Sequence, residues 1–433
     1  MPDETFRDRP IDRRSFIKGG MAFVSAAAMT PPAFLRATFD DNSIPIARTT
    51  GTPAARRRIL VVLQMAGGND GLNTVIPLED RGYFEARPKL AHNPESALPL
   101  ASGLALSQVM TEMKRLWDEQ RMAIVLGAGY PNPNRSHFRA MDIWHTASTD
   151  HTQGSGWLGR LMDVTTHADD SAWRAANVGN ELPRSLFGDS VFVPSLASIP
   201  AYVLSTDRKF PKDSDQRLQT FAQLNARYAG DAAVQAEYGG SLAFVSQTGL
   251  EAYQSTVMLQ ADASSYEPRA VYPTTPIAQA FKTAAALIMS RLGTGVAYIT
   301  TGGFDTHSSQ VVGQARLLQA VSDAVGAFYA DLAAHQAAED VATVMWTEFG
   351  RRVKENASGG TDHGTATPMF VIGGGVRPGL YGDQPPTTST DSNGDLKYTT
   401  DFRSVYASII EQRFGVEAKD VLGLAYPTLP LFA

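Results

Sequence analysis

Residues Ile59–Met65 form a run rich in isoleucine, valine and leucine, without the alternation of polar and apolar positions that marks a half-exposed strand. A strand of that kind is covered on both faces, as in a parallel sheet with helices on each side. Comparable short runs recur at 122–126, 296–300, 341–346 and 369–372. Between them the apolar period changes to that of a helix. Val109, Met113, Leu116 and Trp117 share one face of a predicted helix over 107–120, and Ile277, Phe281, Ala284, Ile288 and Leu292 form a stripe over 275–292. Further helices are predicted at about 309–334 and 401–413, the last capped by Asp401 with Arg403 just inside. Strand and helix in turn predict an α/β domain with a parallel or mostly parallel central sheet.

The pattern loosens over about 151–272, where helical stretches near 216–228 and 232–261 alternate with short apolar pieces. This region reads as an inserted cap that shapes access to a site, with Asp213, Asp215 and Arg217 on a solvated surface. The N-terminus reads differently again. Arg13-Arg14-Ser15-Phe16-Ile17-Lys18 precedes an Ala/Gly-rich, mildly apolar segment to Met29, the pattern of a twin-arginine export signal. Cleavage after Ala28 or after Ala37 is compatible with it. The expected organisation is a signal peptide over 1–37, a linker over 38–58 and one α/β domain over 59–433. The expected location is the periplasm, with the twin-arginine machinery as a partner.

Composition removes several alternatives. The chain has no cysteine, which excludes disulfides, thiolate metal ligands and cysteine nucleophiles. A net charge of −6 and a pI near 5.8 speak against a nucleic-acid partner, which would call for a basic face. No stretch of the mature chain reaches the roughly 18 apolar residues of a membrane span.

Chemistry concentrates at the ends of the predicted strands. The first runs into Gly67-Gly68-Asn69-Asp70-Gly71. The run at 296–300 leads to Gly302-Gly303-Phe304-Asp305-Thr306-His307, and the run at 341–346 to Thr347-Glu348-Phe349-Gly350-Arg351. Gly359-Gly360-Thr361-Asp362-His363-Gly364 precedes the last run. Crevices at strand ends are where α/β sheets bind ligands, and carboxylates with imidazoles delivered there suit a divalent metal. Asp70, Asp305, His307, Glu348 and His363 are therefore the predicted metal ligands. After the 122–126 run comes Arg135-Ser136-His137, just before a predicted helix. Ser136 is either a nucleophile favoured by the helix N-terminus or a capping residue. His137 and His145 read as packing or supporting residues.

These motifs in combination, behind a twin-arginine leader, resemble a large bacterial family of unknown function grouped with the alkaline-phosphatase and sulfatase-like superfamily. The resemblance spans Ile59 to about Gly415 and implies a three-layer α/β/α sandwich with a metal site at the strand C-termini. It places Asp70 in the first ligand position and Ser136 in that of the nucleophile. Asp305 and His307 match the first Asp/His pair, Glu348 the acid of the second and His363 the distal histidine. Phe349 stands where the second pair would have its histidine, and the Asp305–His307 spacing is tighter than usual. One metal, or a harder ion, is thereby left open: Zn, Mn, Mg or Ca. A formylglycine sulfatase is not expected, because Pro131 occupies its nucleophile position.

The functional expectation is an exported metal-dependent hydrolase of a phosphate ester or related small-molecule oxyanion ester. A metal-activated hydroxyl or water would attack, with Arg135 or Arg351 neutralising an ester oxygen. The alternative is a non-catalytic exported protein that keeps the fold for binding or assembly.

Overall fold

The structure, a computed structural model, describes residues 58–150, 153–165, 173–189, 191–204, 214–229, 233, 241–290 and 292–433. The expected signal peptide and nearly all of the linker lie outside the described residues.

Among the described residues the central sheet has nine strands and is mixed. Its spatial order is Gly379–Tyr381, Met122–Gly129, Thr367–Gly373, Val341–Trp346, Ile59–Met65, Val296–Thr301, Ala175–Val178 and Ser195–Leu196, with Thr400–Asp401 also pairing to Met122–Gly129. Ile59–Met65 lies between Val296–Thr301 and Val341–Trp346, parallel to both. All seven of its residues are buried, as a run without alternation requires.

One strand runs against the rest. Thr367–Gly373 is antiparallel to both of its neighbours. Its N-terminal end therefore lies at the edge where the parallel strands have their C-terminal ends. The segment holding His363, which precedes this strand in sequence, is delivered to the rim that also receives Gly67, Asp305 and Glu348.

Helices cover both faces. On one, Trp144 stacks on Trp346 at 5.2 Å and on Phe402 at 4.2 Å, and Trp157 stacks on Tyr406 at 4.2 Å. These rings come from helices His137–Thr146, Trp157–Thr165 and Phe402–Ser408 and from the end of a strand. On the other face, helices Pro276–Met289 and Gln310–Ala334 pack together through Phe281 and Phe328. Tyr329 donates its hydroxyl to the backbone oxygen of Ile372 at 2.7 Å and contacts Thr343 at 2.9 Å, fixing the long helix to two strands. Helix Phe402–Ser408 is capped by Asp401, which accepts from the Arg403 N–H, as its sequence suggests.

The described residues of 202–258 belong to a compact unit of their own, whereas those of 153–201 belong to the α/β unit. Within the smaller unit Tyr202 and Ser255 share a hydrogen bond of 2.9 Å. Among the described residues no helix is long and apolar enough to cross a membrane.

His145 is a packing residue, as its sequence context suggests. Its Nε2 meets the Gln64 side-chain oxygen at 2.9 Å, and its ring lies edge-on to Trp346. Burial lowers its pKa to about 4, only partly opposed by Glu348. The unfolded chain takes up this proton near pH 6.5 and the folded chain only near 4, so stability falls as pH drops through that window. A sliver of the ring reaches solvent, which makes about 3 kcal/mol an upper bound on the loss. Urea unfolding at pH 7 and 4.5 checks this: His145→Gln should lose about 2 kcal/mol less than the parent over that range. Parallel losses would contradict a buried neutral imidazole.

Candidate metal centre

Four loops converge at the rim, and glycine permits two of the closest approaches. Gly67 has φ of 121°, and a Cβ there would press on the backbone of Phe304 and Asp305. Gly68 has φ of 71°, and a Cβ there would collide with the Phe349 ring. These are positions only glycine fills without strain.

At the centre stands Asp305 Oδ1. Arg351 reaches it at 2.6 Å, His307 Nε2 at 3.0 Å, His363 Nε2 at 3.1 Å and His137 Nε2 at 3.5 Å. His307 Nε2 and His363 Nε2 are 2.9 Å apart. His137, Asp305 and His363 form a group able to hold a metal ion, and His307 closes on two of its members.

The other ring nitrogen of each histidine is anchored. His137 Nδ1 lies 2.8 Å from Glu348 Oε1, His307 Nδ1 3.1 Å from Asp362 Oδ1, and His363 Nδ1 2.8 Å from the backbone oxygen of Arg135. A carboxylate or a carbonyl can only accept, so in each pair Nδ1 carries the hydrogen, and in the neutral ring, the form that metal ligation needs, Nε2 holds the lone pair. Three lone pairs are thus aimed at one region beside a carboxylate. Two of them face each other at 2.9 Å, which is repulsive unless a cation or proton lies between. His137 Nε2 is buried with no hydrogen-bond partner.

This donor set fits a divalent metal. Zinc–nitrogen bonds of about 2.0–2.1 Å in a tetrahedron place neighbouring donors about 3.3 Å apart; the three imidazole spacings to Asp305 and that between His307 and His363 run from 2.9 to 3.5 Å. Three imidazoles oriented by a carboxylate, a second carboxylate and a backbone carbonyl are the outer-sphere pattern of histidine metal sites.

The shifts at Asp305 and His363 agree with that reading, and the one at His137 runs against it. Burial pushes the Asp305 carboxyl up, but the hydrogen bond and the charge of Arg351 outweigh it and hold its pKa near 2. Burial lowers the pKa of His363, against the pull of Asp305. The hydrogen bond to Glu348 raises that of His137, against the cost of burial.

Of the five predicted ligands, Asp305, His307 and His363 come together here. Glu348 stands one step back. Its Oε1 receives the His137 ring and the Gly67 N–H, and its Oε2 the Thr347 hydroxyl. Asp70 is elsewhere engaged: its carboxylate is wholly buried and paired with the equally buried Arg87 at 2.6 Å. It also accepts from Gln310 at 2.5 Å and from the Leu72 N–H at 3.2 Å. Those donors use both oxygens. A metal ligand would have to break a buried ion pair first.

His137 is the member that sequence reasoning set aside. It follows a buried strand and a proline-rich loop to the same rim, so the strand-end criterion used for the other ligands applies equally to it. Phe349, at the position of the missing histidine, packs on His137 and His363 with ring centroids 4.9 and 4.8 Å away.

The predicted catalytic residues divide. Ser136 is the N-cap of helix His137–Thr146, but its side chain makes no capping hydrogen bond. The exposed hydroxyl is uncommitted, one residue from His137. Arg351 is buried and spent on the backbone oxygens of Gly67, Gly68, Phe304 and Thr361 besides Asp305. Arg135 is paired with Asp391 and Asp395. Both arginines hold the site together: Arg351 is buried among its acceptors, whereas Arg135 uses only Nε and Nη2 on its two carboxylates and keeps Nη1 uncommitted.

Residues 57–422 match a family described as a protein of unknown function, DUF1501. No curated protein matches the chain in sequence. Among solved structures, the chain is similar to an alkaline-phosphatase-superfamily protein from Vibrio parahaemolyticus, with 10% identity, 85% of this chain and 71% of that one covered, and a TM-score of 0.31. It is also similar to a lipoteichoic acid synthase from Listeria monocytogenes, at 9% identity over 80% and 76% of the two chains, TM-score 0.35. A sulfatase from Pseudoalteromonas sp. shares 12% identity over 99% and 80%, TM-score 0.35. Likenesses this distant say nothing about activity.

Proposed function

The chain belongs to the DUF1501 family, whose description assigns no function, and we propose that it is an exported, metal-dependent hydrolase of a phosphate ester or related oxyanion ester. The observation that carries the reading is the grouping of His137 and His363 Nε2 with Asp305, joined by His307 Nε2 against Asp305 and His363, each ring held by an acceptor at Nδ1. A divalent ion held by these four would polarise the ester and stabilise charge that builds on it. The cluster is open to solvent, with side-chain exposures of 43% at His307 and 47% at Asp305, so an ester could reach it. Ser136, uncommitted and adjacent to His137, is the hydroxyl best placed to attack. Arg351 keeps Asp305 ionised, and Glu348 keeps His137 turned inward.

Export rests on the twin arginines at Arg13 and Arg14. Protein purified from the periplasm without chelators should carry stoichiometric Zn, Mn, Mg or Ca by elemental analysis and should hydrolyse chromogenic phosphate or sulfate esters. Asp305→Asn should lose most of both metal and activity. Unchanged metal content in that variant would sink the site, and recovery of the chain from the cytoplasm alone would sink export.

One observation favours a second reading, a metal-holding protein without turnover. Arg351, the cation that touches Asp305, is buried and committed to that carboxylate and four backbone oxygens, so it is not presented to an oxyanion. Stoichiometric metal with no hydrolysis of any ester would favour it.

A further inference from the structure

Beside the metal cluster lies a cavity of ≈ 560 Å³. The cluster's own supports, Glu348 and Phe349, form part of its wall, together with Asn134 from the loop that leads to His137. On the other side stands a hairpin, closed by the bridge Thr390↔Leu396, whose residues 391 and 396–399 contribute lining. Arg135 fastens this hairpin through Asp391 and the buried Asp395, while its backbone oxygen holds His363. One residue thus ties the cavity wall to the cluster.

The lining is mainly flat and apolar: Tyr130, Pro133, Trp144, Phe349, Leu396 and Tyr398. Trp144 is covered on its faces by the stacked rings of Trp346 and Phe402, so it meets the cavity by its edge. The polar groups divide sharply. Several acceptors and hydroxyls are committed elsewhere, the exposed Tyr398 hydroxyl being the exception. Tyr130 Oη receives the Asn134 N–H, and Glu348 receives the His137 ring and the Gly67 N–H. Asp391 receives Arg135 and the N–H groups of Asn393 and Asp395. Thr365 donates to the Leu396 oxygen and Thr399 to that of Asp383.

Besides the O–H groups of Tyr130 and Tyr398, three nitrogen donors remain. The Trp144 indole N–H is buried without a partner. The exposed Lys397 ammonium and the Asn134 side-chain amide line the same space, and Asn134 uses only its oxygen, toward the Ser136 N–H. A sugar of this size would bring several hydroxyls, each needing acceptors as well as donors. This cavity has donors to offer and flat walls between them.

We propose that the cavity is a subsite for a planar aromatic group bearing a hydrogen-bond acceptor, held between Tyr398 and Phe349 and reached by Lys397 and the Trp144 N–H. Its catalytic meaning, as the seat of an aryl part of the ester, rests on the hydrolase reading above; its affinity for aryl groups does not. A pocket of a few hundred cubic ångströms with few convergent polar groups is the usual form of a small-molecule site.

The test is binding of 2-acetonaphthone, its decahydro analogue and 2-ethylnaphthalene to the metal-loaded protein, read by quenching of tryptophan emission. The first keeps both the flat ring and the acceptor, the second only the acceptor, and the third only the ring. 2-Acetonaphthone should bind about tenfold tighter than either control, as one aromatic contact or one charge-assisted hydrogen bond would give. Tyr398→Ala and Lys397→Met, both at exposed positions, should each remove about that factor. Equal binding of the three probes, or no change in either variant, overturns the subsite. Ester turnover is measured in parallel. Selective aryl binding without turnover keeps the subsite and removes the hydrolase reading; turnover without aryl preference does the reverse.

Discussion

Replacing His137 with alanine should weaken metal binding at least as much as replacing His307 or His363, by more than about 100-fold. The magnitude follows from a comparison: losing a residue that merely orients a ligand commonly weakens affinity by about 10–100-fold, and losing the ligand should exceed that. Its Nε2 is a buried, unpartnered nitrogen 3.5 Å from Asp305 Oδ1, and its Nδ1 is held by Glu348 at 2.8 Å. Glu348→Gln keeps the shape of the anchor but loses its charge. It should fall within the 10–100-fold range and respond less than His137→Ala. Titration of the metal-stripped variants with zinc and a competing chelator would show the ranking. If Glu348→Gln were the more damaging of the two, Glu348 would be the ligand and His137 its support, the order expected from the sequence.

Asp70→Asn should do the opposite: leave metal content unchanged and cost the fold about 3–5 kcal/mol, the usual penalty for stranding one member of a buried ion pair. Arg87 would keep its hydrogen bonds to the backbone oxygens of Arg352 and Val353 and to Asn73, but its charge would lose the carboxylate 2.6 Å away. Gln310, which donates to the same carboxylate and accepts from Thr361, would lose its orientation too. Urea unfolding together with elemental analysis separates the cases. Metal lost from a variant of ordinary stability would return Asp70 to the ligand set.

These two expectations mark where sequence reasoning stopped. Ile59–Met65 and Val341–Trp346 occur at the bounds their apolar runs suggest, and Asp401 caps its helix as expected, because periodicity and capping are local properties of a chain. The strand-end loops were legible for the same reason: glycine beside acid and histidine, after a buried run, marks a rim. Asp305, His307 and His363 could be found that way, and His137 could have been.

The tertiary structure decided what the loops do once they meet. An arginine 17 residues away and a glutamine 240 residues away turned Asp70 from a potential ligand into half of a buried ion pair. The reversed direction of Thr367–Gly373 brought His363 to the shared rim from the front of its strand. The 2.8 Å contact between Glu348 and the ring of His137 assigned support to one and the inward lone pair to the other. A sequence specifies which residues can ionise, hydrogen bond or bind a metal. Which of those capacities is used depends on distances of a few ångströms between segments far apart in the chain, because ion pairs, hydrogen bonds and metal ligation all fall away within that range.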